Sequence, residues 1–445
     1  MEQTKMRKDI LKIAWPAILE MMLQTLVWTV DTAMVGRLNP ASISAVSLGA
    51  QMMFITMAIL GAVGIGATAL VARNVGAENP RRAGKIAGQA LVIGGCISIV
   101  VTIVGRIYAE EIFRLAVRDR EVVELGGVYL RTVLIGGFFI IPFGVSNAIL
   151  RGAGKTRYTL RAVMVANGFN IVGDYALIFG KFGLPAMGVQ GAALATGMAQ
   201  ILGALVSLYY LFGKDSGIEI YFKDIFTIDR EILKKLADLS LPAAFEITMN
   251  DGSRLLSAIW IAQLGTIQFA ANSVAVAAES ISFMPGYGFA IAAMALVGQN
   301  LGSKNVKRAR ESVSIAIRYA VILMGSIAVL FLTIPRLIMA LFTTDPETVA
   351  LAARCIRIGA IEQVPIAIAM VISGALKGAG DTRGPFKISL ITNLGVRMPL
   401  IYLIVFVFNM NIVYVWLATA IQFILEAILM EIRYKRGKWE MINLQ

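Results

Sequence analysis

Apolar residues along this chain fall into about a dozen stretches of 20 or more, separated by short polar segments. Each stretch is long enough, at about 1.5 Å per helical residue, to cross a hydrocarbon core of about 30 Å. The pattern predicts an all-α membrane protein with 12 transmembrane helices. The predicted spans are residues 10–36, 45–72, 84–108, 122–150, 158–180, 187–213, 234–264, 270–300, 309–333, 346–375, 384–408 and 411–434.

Composition excludes several functional classes. Hydrophobic residues make up 58% of the chain, against about half in a soluble domain. The chain has two cysteines, both in apolar stretches, and no histidine, which argues against a disulfide framework, a thiolate metal site or histidine catalysis. The segment 152–156, Gly-Ala-Gly-Lys-Thr, lacks the full spacing of a phosphate-binding P-loop. We therefore expect no enzyme activity and no cofactor other than a coupling ion.

The net charge of +13 is distributed in the way expected of a membrane protein rather than a nucleic-acid-binding one. Lysine and arginine concentrate in alternate loops, although residues 106–120 break the pattern. By the positive-inside rule, this predicts a multi-pass protein of the cell membrane with both termini in the cytoplasm and no nucleic-acid partner. The residues concerned are Lys5, Arg7, Lys8, Lys12, Arg73, Arg81, Arg82, Lys85, Arg151, Lys155, Arg157, Arg161, Lys304, Lys307, Arg308, Arg310, Arg433, Lys435, Arg436 and Lys438.

The sequence repeats itself at an offset of 226 residues. Residues 150–157, LRGAGKTR, correspond to residues 376–383, LKGAGDTR, and Asn167 corresponds to Asn393. Six spans per repeat is an even number, so both halves should insert with the same orientation. We predict two pseudo-symmetric six-helix lobes, residues 1–213 and 234–445, joined by a cytoplasmic linker at 214–233. Two such lobes around a central cavity suit alternating access.

Charged side chains inside spans cost about 2.5–3.5 kcal/mol each and indicate function by default. In the first span, Glu20, Gln24 and Asp31 share one helix face, and Trp28 could line an apolar cavity. In the fifth span, Asn167, Asn170 and Asp174 form a second polar stripe. The side chains in question are Glu20, Gln24, Trp28, Asp31, Asn167, Asn170 and Asp174.

If these stripes face each other, Asp31 and Asp174 share a pocket with Asn170. Two adjacent carboxyl groups can hold and exchange a proton. Carboxylate and amide oxygens also suit a hard cation such as Na⁺. The residues alone leave proton and sodium coupling open.

The second lobe departs from the first, since Ser257 stands opposite Asp31 and Leu400 opposite Asp174. We therefore expect ion coupling in the first lobe. The second lobe offers Glu246, Asn250 and Arg254 at four-residue spacing, with an ion pair to Arg254 as the simplest role for the glutamate. Arg397 needs an acid from another helix, for which Glu279 is a candidate, whereas Glu362 is expected to be partly wet. Met284 and Tyr287 could line an apolar cavity.

Several motifs resemble the multidrug and toxic compound extrusion (MATE) family over nearly the whole chain. They are Asp31 before Gly36, Asn170-x3-Asp174, the segments 283–289 (FMPGYGF) and 296–302 (LVGQNLG), and Arg397-x-Pro399-Leu400. The combination is similar to the DinF branch, and the resemblance implies a MATE fold with a cation site at Asp31, Asn170, Asp174 and, more weakly, Thr196. Glu246 resembles the seventh-span glutamate of NorM-like members, but Ile366 stands where their tenth-span aspartate would be.

The resemblance implies a secondary-active antiporter that exports organic, often cationic compounds in exchange for protons or sodium. Its expected partners are small organic substrates and membrane lipids, and we expect a monomer. A lipid-linked oligosaccharide flippase of the same superfamily is the main alternative, although Arg254 and Arg397 are few positive charges for an anionic headgroup. A passive channel is a further alternative, against which the acidic pocket argues.

Overall fold

The structure is a computed structural model that describes residues 2–221, 223 and 227–444. Residues 222 and 224–226 of the predicted linker lie outside this range. The described residues form α-helices with short 3₁₀ and π segments and no strand. The predicted all-α fold class is thereby confirmed.

Sixteen helices are numbered here in chain order, with Arg383–Val407 counted as one helix that contains π-helical turns at Ile391–Arg397 and Leu403–Val407. A π turn inside an α-helix often marks a functional position. The helices are α1 Glu2–Val35, α2 Pro40–Leu60, α3 Ala62–Gly76, α4 Pro80–Ile107, α5 Ala109–Ala116, α6 Arg120–Val133, α7 Gly137–Gly152, α8 Thr156–Phe179, α9 Gly188–Phe212, α10 Arg230–Ala262, α11 Thr266–Gly302, α12 Val306–Thr333, α13 Pro335–Ala340, α14 Pro346–Ala379, α15 Arg383–Val407 and α16 Ile412–Lys435.

A helix lies at each of the twelve predicted spans, but not all of them are equally apolar. Within the described residues, ten helical segments are long and apolar enough to cross a membrane, with α2 and α3 counted together. The pair α6 and α7, bent by 60°, provides an eleventh. The predicted span 234–264 corresponds to α10, which is long enough but carries too many charged residues to meet the same criterion. The bend between α6 and α7 was not predicted.

The chain divides into two compact units whose boundaries differ from the predicted lobes. The N-terminal unit contains Leu19–Ser240, and the C-terminal unit contains Met1–Ile18 together with Leu241–Gln445. The long helix at the start of each repeat is therefore divided between the two units. The first part of α1 packs in the C-terminal unit, and the first part of α10 packs in the N-terminal unit. Apolar packing explains the difference, since Ile10, Ala14 and Ile18 are buried in the same core cluster as Phe289.

The repeated Gly-Ala-Gly motifs have the same packing role in both units. A Cβ atom on Gly152 would lie 2.7 Å from the carbonyl oxygen of Thr68, and one on Gly378 would lie 2.1 Å from that of Met294. Thr68 and Met294 are themselves one repeat of 226 residues apart. Only glycine allows a second helix backbone to approach this closely. The motif therefore closes α7 on α3, and α14 on α11.

Candidate functional site

Three helices of the N-terminal unit bring the predicted coupling residues together. Asp31 comes from α1, Asn170 and Asp174 lie one turn apart on α8, and Thr196 lies on α9. The amide nitrogen of Asn170 lies 3.2 Å from Oδ2 and 3.3 Å from Oδ1 of Asp31, in the amide orientation that satisfies both of its ends. The other end of this amide lies 3.4 Å from Oγ1 of Thr196. The four residues thus form one cluster.

Small residues allow these helices to meet at the level of the cluster. Gly173, between the two polar residues of α8, would place a Cβ 3.1 Å from the Cβ of Ala195 on α9. At the bend between α6 and α7, a Cβ on Gly136 would lie 2.3 Å from the carbonyl oxygen of Gly197. A larger residue at Gly173 would push α9, and with it Thr196, away from α8, and one at Gly136 would push α9 away from the bend.

The two aspartates interact directly. Their carboxyl groups lie within hydrogen-bonding reach of each other. Asp174 is fully buried, and its Oδ1 has no hydrogen-bond partner in the described part of the chain. Two ionised carboxylates cannot share a hydrogen bond, so the arrangement suits a pair that holds one proton.

Tyr129 belongs to this cluster and was missed from the sequence. Its ring is buried on α6, its hydroxyl lies within hydrogen-bonding reach of Thr196, and Asp31 and Asp174 act on it electrostatically. A tyrosine in an apolar helix usually serves packing, and its position, just before the unpredicted bend, gave no periodic signal. The hydroxyl adds a proton donor to the carboxyl pair.

A small cavity opens beside the aspartates. It has room for about one water molecule or a small ion. No group of three or more His, Cys, Asp or Glu side chains that could hold a metal occurs among the described residues. The cavity is lined by Trp28, Asp31, Thr32, Val46, Ser47, Ala50, Tyr129, Asp174, Ala192 and Thr196.

The other polar residues predicted on the same stripes have different surroundings. Glu20 is buried and accepts from Nη1 of Arg151 at 2.9 Å and from the hydroxyl of Thr159 at 2.7 Å. These contacts satisfy both of its carboxylate oxygens. Gln24 is exposed, and the buried Nδ2 of Asn167 makes no hydrogen bond within the described residues. Glu20 therefore has a structural ion pair, distinct from the Asp31 cluster.

In the C-terminal unit, the position equivalent to Asp31 is a serine that binds a buried arginine. Ser257, one repeat after Asp31, accepts a hydrogen bond from Nη2 of Arg397 at 3.3 Å, and Ser253 accepts one at 3.4 Å. Arg397 lies in the first π segment of α15 and is buried. The acids that act on it are Glu426 and Glu362, not the predicted Glu279. This arrangement is consistent with the expectation that the two repeats have different chemistry.

Glu246 has the same kind of partner as Glu20. Lys377 of α14 donates to its Oε1 at 2.8 Å, so the ion pair is with this lysine and not with Arg254 of the same helix. The guanidinium of Arg254 lies 5.8 Å from the ring centroid of Phe283. Asn250 accepts hydrogen bonds from Ser389 at 2.7 Å and Asn393 at 3.0 Å, which ties α10 to α15.

The remaining two candidates, Met284 and Tyr287, lie on α11 near Pro285. Met284 is half-buried and Tyr287 is half-exposed. Glu362, which we expected to be partly wet, is fully buried, and Glu279 is nearly so. The expectation for Glu362 was wrong because its side chain points into the C-terminal unit rather than toward an aqueous end of the span.

A family model described as MatE matches residues 16–176 and 242–403, once in each repeat. Among curated proteins, the "Probable multidrug resistance protein NorM" of Thermotoga maritima is 28% identical over 99% of this chain and 94% of its own length. The "Multidrug resistance protein MdtK" of Yersinia enterocolitica is 26% identical over 86% of this chain and 84% of its own.

Solved structures show the same fold. One is described as the "Outward-facing conformation of a multidrug resistance MATE family transporter of the MOP superfamily" and matches with a TM-score of 0.90 at 25% identity, over 97% of both chains. A second, a MOP superfamily transporter from Pyrococcus furiosus, matches with a TM-score of 0.90 at 24% identity, over 98% of this chain and 97% of its own. The match spans both units.

Proposed function

The chain belongs to the MatE family of membrane transporters, which is not a family of enzymes, and on this premise we propose that it is a multidrug efflux antiporter. It exports organic cations in exchange for protons by alternating access. The Asp31–Asp174 carboxyl pair is the single observation that carries the coupling part of the proposal. The names of the relatives, multidrug resistance proteins, support the substrate class.

The contact between the two aspartates is what favours the proton over sodium in this proposal. Asp31 and Asp174 lie within hydrogen-bonding reach of each other, and two carboxyl groups can share a hydrogen bond only if one of them carries a proton. A sodium ion at Asp31 would instead be bound by carboxylate oxygens and by the amide oxygen of Asn170.

The same carboxyl pair explains how a cation and a proton can exclude each other. When the pair holds its proton, the site has lost one negative charge and attracts an organic cation less strongly. When the proton leaves, the charge returns beside Trp28, whose ring is 58% exposed and can stack on a flat or cationic group. Competition for one charge, combined with alternating access, couples export of the cation to entry of the proton.

The proposal also covers the cellular location. We propose that the protein lies in the cell membrane with both termini in the cytoplasm, because the lysine- and arginine-rich loops then face inside. A monomer suffices for this function, since each unit contributes its own polar cluster within one chain.

Efflux of a fluorescent cationic dye from proteoliposomes tests the function. We expect efflux to follow an imposed pH gradient, to be lost in Asp31→Asn, and to persist in Glu111→Gln, a matched change at an exposed acid. Efflux driven by a sodium gradient but not by a pH gradient would show that the coupling ion is Na⁺ and not the proton. Dye movement under neither gradient would contradict the antiporter and direct attention to lipid-linked substrates.

A further inference from the structure

The C-terminal unit contains a second pair of buried carboxyl groups, at positions that are not the repeat equivalents of Asp31 and Asp174. Glu279 lies on α11 and Glu362 on α14. These positions correspond to Met53 and Gly136 in the first repeat, so the pair has no counterpart there. The two carboxyl groups lie against each other, and Glu279 also accepts from Nε2 of Gln363 at 3.1 Å.

Glu362 is fully buried, yet neither of its carboxyl oxygens has a hydrogen-bond partner of normal geometry in the part of the chain that the structure describes. No ion pair to it occurs among those residues either. An isolated ionised carboxylate in such a place is strongly unfavourable, and the usual response is to take up a proton. This orphaned side chain, aimed at another acid, points to a bound proton.

The surrounding groups favour a proton over a metal ion. Gln363 presents its amide nitrogen to Glu279, while its oxygen accepts from Ser282 at 2.6 Å. Arg397, whose guanidinium can only donate, is the cation that acts on Glu362. Donors cannot bind a metal ion, so only the two carboxyl groups would remain as ligands.

The charges around the pair also balance with one proton. Glu279 is influenced by Arg254, which is exposed, and Glu362 by Arg397, which is buried. Glu426 acts on Arg397 from α16. If all of these groups were ionised, the three glutamates would exceed the two arginines by one negative charge, which one shared proton removes.

We propose that Glu279 and Glu362 form a second proton-binding site, which holds one proton between the two carboxyl groups. Glu279, 7% exposed against 0% for Glu362, is the member through which the proton enters and leaves. Binding of the proton does not rest on the transport function. Release of this proton during the transport cycle does rest on it, and would add a proton to the one carried by the N-terminal unit.

Infrared difference spectroscopy on the full-length protein in lipid nanodiscs tests the site without any transport. Every variant is made in a protein that already carries Asp31→Asn and Asp174→Asn, so that the acids of the N-terminal cluster do not contribute to the spectrum. We expect a protonated-carboxyl stretching band at neutral pH that shifts in D₂O. Glu362→Gln and Glu279→Gln should each remove the same one-carboxyl share of this band, while Glu111→Gln should leave it unchanged.

Two outcomes overturn the proposal. An undiminished band in the double variant Glu279→Gln with Glu362→Gln would mean that both glutamates are ionised. A loss in only one variant would assign an unshared proton to that residue. Since the measurement needs no substrate or gradient, a failed dye-efflux experiment and a failed infrared experiment are distinguishable.

Discussion

Arg151 donates from its Nη1 to Oε1 of Glu20 at 2.9 Å, across 131 residues of sequence. Lys377 and Glu246 form the same contact at 2.8 Å and the same separation in the second repeat. One difference is that Glu20 also accepts from Thr159, whereas the corresponding residue, Pro385, has no hydroxyl, and Oε2 of Glu246 lacks a partner in the described structure. The ion pair at this position is thus a duplicated structural element.

Glu20→Ala should destabilise the protein by about 3 kcal/mol, because it leaves the Arg151 guanidinium beside an empty, buried position. We expect a clear fall in the melting temperature of the purified protein in detergent. The matched control is Glu124→Ala, which removes a largely exposed partner of Arg120 and should change the melting temperature little. Equal effects of the two substitutions would contradict a buried structural role for Glu20.

Tyr129→Phe should reduce dye efflux at least tenfold while preserving the fold. The change removes only the hydroxyl that faces Thr196, and a hydrogen bond within a charged cluster contributes about 1.5–3 kcal/mol. Efflux from proteoliposomes and the melting temperature are measured together. Tyr175→Phe, at a tyrosine 44% exposed, is the control and should transport normally. Normal transport by Tyr129→Phe would show that the tyrosine hydroxyl has no role in the coupling site.

Gly152→Ala and Gly378→Ala should each cost about 1–3 kcal/mol, since the added methyl group would overlap a carbonyl oxygen of the facing helix. Gly95→Ala is the control, because a Cβ there would meet nothing within 4 Å. Thermal melting of the three variants checks the prediction. A stability gain in either of the first two would show that the helices can separate without loss.

Thiol labelling tests the proposed orientation. In a cysteine-free parent, made by Cys96→Ala and Cys355→Ala, single cysteines are introduced by Leu184→Cys and Lys307→Cys, both at exposed positions. A membrane-impermeant maleimide added to intact cells should label only the cysteine at 184. Lysed cells should show labelling at both positions. Labelling of the cysteine at 307 alone in intact cells would show that the protein has the opposite orientation.

The helices and much of the coupling cluster could be predicted, because burial in a membrane leaves a simple signal in sequence. A charge within an apolar run is expensive, so Asp31 and Asp174 were conspicuous, and helical spacing placed Asn170 on the same face as Asp174. The all-α fold and the MATE family are confirmed. The DinF branch, the coupling ion and the roles of the site residues stay predictions.

The rest depends on contacts between distant segments, which one sequence does not reveal. Periodicity placed Glu20 on the same face as Asp31, but its partner, Arg151, lies in a segment assigned to a loop. Tyr129 could not be distinguished from a packing residue. The burial of Glu362 depends on the rotation of α14 about its own axis, which is set by packing against the neighbouring helices.

The division of α1 and α10 between the two units limits what one repeat can do alone. A Cβ on Gly66 would meet Oγ of Ser240 on α10 at 2.5 Å, and Ser240 is one repeat after Ala14, which is buried among the helices of the C-terminal unit. Each repeat therefore completes the other with its leading segment. A chain of one repeat could complete its core only by exchanging this segment with a second copy.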